Sequence, residues 1–228
     1  MNNVHTNNEN SGQNSSPTHP HNEKVLEREC TPWVEESLAN LFEIDTDESP
    51  LYSNTIYDPY DDRYRFKEHR KEDTTEGVYF LYSRYSDPDN YSYQYHLIPR
   101  GDWHILGFYG FYYPLEVYKS KNADELYSLA KRELESTYRL EAKLDGKPIE
   151  FCRVSIDKPV EIKNIPVKNI FGLRNKELDD AGRKLHTVGD FYVVFLKPLE
   201  IGTHFVDIAG YSPSYTMNAG FQLDVIGP

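Results

Sequence analysis

The chain of 228 residues has two cysteines, Cys30 and Cys152, and neither lies in a CxxC or Cys/His cluster. That excludes a zinc knuckle and a thioredoxin-type site, leaving two structural thiols or a single disulfide. No apolar run approaches the roughly 20 residues that cross a bilayer. The N-terminus has neither a basic n-region nor an apolar h-region, so the expectation is a cytoplasmic protein without a transmembrane segment. No GxSxG elbow and no Gly-rich phosphate loop occur, so nucleophilic catalysis has no motif to rest on. Aliphatic residues are scarce as well. Without its 19 Tyr, and with its 13 Gly added, the 38% hydrophobic share falls below the roughly 45–50% usual for soluble domains. Tyr and Phe must therefore build part of the core.

Basic residues are outnumbered, 25 Lys and Arg against 37 Asp and Glu, for a net charge of −12. A basic stripe appears only at Arg63, Arg65, Lys67, Arg70 and Lys71, which argues against nucleic acid as a partner. Residues 31–62 hold nine acids and no Lys or Arg. Such a run is either a solvated face or the partner of the basic stripe that follows. Residues 1–24 carry no Phe, Trp or Tyr, and seven Asn lie within the first 22 positions. That stretch reads as a disordered tail. Residues 25–228 then form one domain, with the acidic segment 31–62 packed against it or flanking it.

Periodicity sets the fold class. Val34, Leu38, Leu41 and Phe42 make one helical stripe behind a Thr31 cap and Pro32. Asn122 and Glu125 open a second helix, Ala123 to about Leu134, with a capping-box pair. Strands surround these helices. Val78–Arg84 and Tyr91–Ile98, joined by Ser86-Asp87-Pro88-Asp89-Asn90, read as a hairpin. Tyr91, Tyr93, Tyr95 and Leu97 share one face of it, and a third aromatic strand runs from Trp103 to about Tyr109. A second hairpin turns at Asp145-Gly146 and returns through Ile149 to Val154. Pro159 then precedes a fresh strand at Val160, residues 163–190 are irregular, and Phe191–Leu196, His204–Ile208 and Phe221–Ile226 are the last strands. The pattern predicts a mostly β, α+β protein, an antiparallel β-sandwich or jelly roll with two short helices.

Three stretches carry a resemblance: Leu97-Ile98-Pro99-Arg100-Gly101, Leu144-Asp145-Gly146, and the block Asp190-Phe191-Tyr192-Val193-Val194-Phe195-Leu196-Lys197-Pro198-Leu199 followed by Gly202-Thr203-His204 and Gly210. They resemble a family of uncharacterised archaeal and bacterial β-sandwich proteins with the pattern "vPaGk … vDG … dGywvfLkPLpPGtH". The likeness spans roughly residues 76–226, and its last block is the most specific. It implies a shared fold and core and an exported, extracellular location, with no assigned activity. Members often carry a Cys before the "vPaG" stretch, where this chain has His96.

Three functional readings follow. Tyr offers a flat apolar body with a polar tip, suited to protein or carbohydrate contact. Tyr82, Tyr91, Tyr93, Tyr95, Tyr109 and Tyr112 are the candidate binding residues of a non-catalytic, Tyr-rich module, with about half of such rings expected in the core. A metal-dependent enzyme of cupin type would use His96, His104 and His204, since Pro99-Arg100-Gly101-Asp102-Trp103-His104 matches half of that motif and the HxH half is absent. A calcium-stabilised module would use Asp45, Asp47, Asp58, Asp61 and Asp62 as oxygen ligands. The EF-hand itself fails, because Pro50 stands at the turn glycine and Ile56 at the bidentate acid. The binding module is the preferred reading, with no cofactor required.

Overall fold

A computed structural model describes residues 24–25, 28–45, 47, 78–82, 92–169, 171–173 and 183–227. The tail expected over residues 1–24 lies outside them except for Lys24, which is in a strand, and the Asp87 turn and Tyr91 lie outside them too. A two-residue ladder, β1 (Lys24–Val25) with β2 (Arg28–Glu29), leads into α1 (Cys30–Phe42). The helix starts one residue ahead of the expected Thr31 cap. Its buried residues, Trp33, Val34, Ser37, Leu38, Leu41 and Phe42, recur at the i, i+4 spacing of one face. Ser37 sits inside that face because its hydroxyl donates to the Trp33 carbonyl at 2.6 Å.

The remaining elements are β3 (Val78–Tyr82), β4 (Ser92–Pro99), β5 (Trp103–Pro114), α2 (Ala123–Glu135), β6 (Arg139–Leu144), β7 (Lys147–Pro148), β8 (Cys152–Ile162), β9 (Leu185–Leu196), β10 (Gly202–Tyr211) and β11 (Thr216–Ile226). They form a five-stranded sheet, β4-β11-β10-β6-β7, and a four-stranded sheet, β3-β5-β9-β8. The protein is thus mostly β with two helices, and both sheets are mixed: β4 runs parallel to β11 and β3 parallel to β5. The expected hairpin between β3 and β4 does not form, since the two strands belong to different sheets. Local alternation signals two strands but leaves their partners open.

The Asp145-Gly146 turn does form, with both residues at positive φ (51° and 74°), as a type I′ turn requires. Its return strand lasts only two residues before the chain crosses to β8 in the other sheet. The break expected at Pro159 is instead a register shift within β8, between Ile156 and Val160, where a missing N–H is tolerated. Strand β9 starts six residues earlier than expected and absorbs Gly189 and Asp190.

Two apolar clusters fix the layers. Leu81, Leu106, Val194 and Leu196 of the four-stranded sheet meet Ile98, Val206, Ile208, Phe221, Leu223 and Val225 of the five-stranded one. The alternate residues, Phe80, Ile105, Val154, Ile156 and Val193, pack with α1. The four-stranded sheet is therefore covered on both faces, and α1, from the acidic segment, supplies one cover. A bulge between Gly107 and Tyr109 shifts the parity of β5, so that Leu106 and Tyr109, three apart, join the same cluster. Ring-over-glycine contacts tighten the packing. A Cβ on Gly210 would sit 2.3 Å from the Tyr109 ring, and one on Gly110 would sit 2.4 Å from Phe191.

Helix α2 carries the expected capping box, with Asn122 accepting from the Glu125 N–H and Glu125 from the Asn122 N–H, both at 2.9 Å. Leu126, Ala130 and Leu134 are its buried stripe. Arg153 ties its C-terminal turn to the sheet, reaching Glu135 at 3.3 Å and both carboxylate oxygens of the fully buried Asp190. Cys30 and Cys152 are not joined in a disulfide, which leaves the two-thiol alternative. Among the described residues no helix is long and apolar enough to cross a membrane.

Candidate functional site

The outward face of the five-stranded sheet holds residues that the core arithmetic would place inside. Because paired residues share a face, the register lines up Tyr95, Gln222 and Phe205 in one row, and Leu97, Asp224 and Thr203 in the next. Tyr95 is 55% exposed, Leu97 49% and Phe205 45%. Ile226 (44%) and Ile201 (56%) extend the apolar surface at the strand ends. Ile201 adjoins Gly227, where an added Cβ would lie 3.1 Å from its Cδ1.

Polar groups sit between these side chains. The Tyr95 hydroxyl donates to Asp224 Oδ2 at 2.8 Å, and the Gln222 amide donates to Oδ1 at 3.2 Å. Hydrogen bonds from Thr203, Tyr95 and Gln222 hold the Asp224 carboxyl below its ordinary range, while the same carboxylate pushes the Tyr95 phenol up. Asp224 is thus an ionised, solvent-facing acceptor bordered by two rings and a leucine.

Of the sequence-selected tyrosines, Tyr95 lies on this face. Tyr93 occupies β4 in register with Gly220, and Tyr82 ends β3 in the other sheet. Tyr109 is 3% exposed, with its hydroxyl on the Tyr215 carbonyl at 2.8 Å and its ring stacked on Tyr215 at 5.5 Å. Tyr112 is half-buried against Phe42 and Phe171 in the α1 cluster. Both belong to the packing half of the rings. Alternation groups Leu97 with Tyr95 on one face of β4. Phe205, Gln222 and Asp224 carry no such local signal. Phe205 stands out of phase with Val206 and Ile208, a signal that needs the strand's pairing to be read.

The histidines divide. His96 and His104 are 3% and 1% exposed on the facing surfaces of the two sheets, with the His96 ring stacked on Phe221 at 6.0 Å. Burial pushes His96 down to about 4. Burial and then the charge of His96 push His104 down to about 3. Both rings are neutral at pH 7. His204 flanks Leu223 from the strand opposite His96, two strand spacings or roughly 10 Å away. Its ring is bound at both nitrogens, with Nδ1 2.8 Å from Asp145 Oδ2 and Nε2 2.9 Å from the Glu200 carbonyl. Burial opposes its charge, but the bonds to Asp145 and Glu200 outweigh it and raise its pKa. The three histidines do not converge.

In the acidic tract, Asp45 Oδ1 accepts the Asp47 N–H at 3.0 Å and Asp47 pairs with Lys168. Asp58, Asp61 and Asp62 lie outside the described residues. Among the described residues no group of three or more His, Cys, Asp and Glu side chains is placed to hold a metal ion.

No protein-family model matches the chain, and no curated protein matches it. One solved structure, titled "Solution Structure of Amebosin", is similar with a TM-score of 0.24 and 11% identity, over 65% of this chain and 97% of that one.

Proposed function

We propose that the protein is a non-catalytic binding module that docks a protein partner on the outward face of its five-stranded sheet. The observation that carries this reading is the exposed set Tyr95, Leu97, Phe205, Ile201 and Ile226 around Asp224 and Gln222. Aromatic and aliphatic anchors around a polar centre are the composition of a docking surface. Scattered exposed apolar residues need no explanation, whereas side chains gathered on adjacent strands do. Carbohydrate is the weaker choice, because Leu97, Ile201 and Ile226 offer no ring plane for a sugar to stack on.

A photo-crosslinking residue placed at Phe205 tests the proposal, with Val167, 55% exposed on the loop after β8, as the control site. A discrete protein adduct at position 205 that is absent at 167 and lost with Leu97→Asp supports docking on this face. Adducts that are absent, or alike at the two sites, overturn it.

A further inference from the structure

Asp224 differs from several other acids of the molecule in the groups that face it. Glu141, Asp145 and Glu200 each face an Arg, Lys or His, as does the buried Asp190 beneath α2. The hydrogen bonds that Asp224 accepts come from the neutral groups of Tyr95, Thr203 and Gln222. No cation pairs with it among the described residues. Neutral donors orient a carboxylate without cancelling its charge, so its electrostatic attraction for a cation persists.

Two further features narrow what could sit there. Tyr95 and Phe205 stand one row away on the strands that flank β11, with strand axes roughly 10 Å apart. A side chain reaching Asp224 from solvent meets the Tyr95 hydroxyl on it, with Phe205 standing diagonally across on β10. A planar guanidinium stacks on such rings and meets a carboxylate through a fork of N–H donors; an ammonium does neither as well. The chain's net charge of −12 attracts a basic partner and repels a second copy of itself.

We infer that the docking face takes a protein partner presenting an arginine, whose guanidinium binds the Asp224 carboxylate between the Tyr95 and Phe205 side chains. The inference rests on the protein-docking reading above. The probe is a phage-displayed library of random peptides selected on the full chain, with selected peptides then synthesised for affinity measurement. The expected result is a shared arginine in the selected peptides. Their affinity falls about tenfold or more on Asp224→Asn, and again when that arginine becomes lysine. Asp224→Asn keeps shape and exposure, and an unchanged melting temperature verifies the fold. Peptides that lose binding on Tyr95→Ala and Phe205→Ala but ignore Asp224→Asn, or that carry no shared arginine, overturn the arginine and leave the docking face standing. If no selected peptide depends on Tyr95 or Phe205, both readings fall.

Discussion

Strands β4, β11 and β10 carry opposite chemistry on their two faces, and each face contains a departure from its own rule. The inner face is apolar, with Phe221, Leu223, Val225, Val206 and Ile208 all at or below 3% exposure. Yet it encloses His96, and His104 faces it from the other sheet. The outer face is solvated, yet it displays Leu97 and Phe205 beside Asp224. In β4 the two departures alternate residue by residue: Tyr95 out, His96 in, Leu97 out, Ile98 in. Burial decides what each costs. The inward histidines are held neutral and make the fold sensitive to acid. The outward apolar residues cost the fold little and leave a sticky surface. The first departure concerns stability and the second concerns recognition.

The sharpest way to break this comparison is to truncate one aromatic residue on each face. Phe221→Ala removes a ring that is 1% exposed in the inter-sheet core, and the expected loss is about 3–5 kcal/mol. Phe205→Ala, one register position from it on the neighbouring strand and on the opposite face, should stay within about 0.5 kcal/mol. Urea unfolding of the two variants measures both. Comparable losses would mean that Phe205 belongs to the core and that the outer face is no separate surface.

Acid titration probes the inner face next. For a histidine whose folded pKa lies below its unfolded one, the unfolded chain binds more protons between the two values. Stability is therefore complete above about 6.5 and falls as the pH drops toward the folded value. For His96, lowered from 6.5 to about 4, the loss across that window is about 3 kcal/mol, and His104 adds to it in the same direction. Melting temperatures from pH 7 down to pH 4 should fall steeply in the parent and less steeply in His96→Leu. An unchanged slope would mean that the ring is already charged in the folded protein.

His204 tests the same principle with the opposite sign. Its folded pKa is raised by Asp145 and the Glu200 carbonyl, so its contribution is complete below the unfolded value and disappears as the pH rises through the folded one. The pair is partly solvated, which limits the effect to under about 1 kcal/mol. His204→Gln should therefore destabilise at pH 6 and be nearly silent at pH 9, read from paired thermal melts. A cost that grows with pH would contradict the clasp.

How much of this was legible in the sequence follows from the range of each signal. Short-range signals read well: the α2 capping box at Asn122 and Glu125, the Asp145-Gly146 turn and the stripe of α1 are all set by residues within one turn of each other. Long-range pairing did not read. The two aromatic runs at Val78 and Tyr91 look like a hairpin locally, but each pairs in parallel with a strand elsewhere, β3 with β5 and β4 with β11. The same gap limited the site. Alternation put Tyr95 and Leu97 on a common face, whereas Phe205 and Asp224 join them only through the register of β10 and β11. His96 and His104 read as candidate ligands because composition does not reveal burial.

The smallest predicted change in stability is also the most specific to the outer face. Leu97 is the registered neighbour of Asp224 on the parallel strand. Leu97→Lys replaces a half-exposed apolar side chain with a cation beside an acid that has only neutral donors. A cross-strand pair of opposite charge contributes roughly 0.2–1 kcal/mol, so the variant should melt at or slightly above the parent temperature. The new ammonium occupies the same carboxylate that the partner's arginine would use, so peptide affinity should fall at the same time. A more stable protein that binds less well is the behaviour of a residue kept for recognition rather than folding. If Leu97→Lys instead lowers stability by more than about 1 kcal/mol, Leu97 is part of the packed structure and the contrast between the two faces fails at its centre.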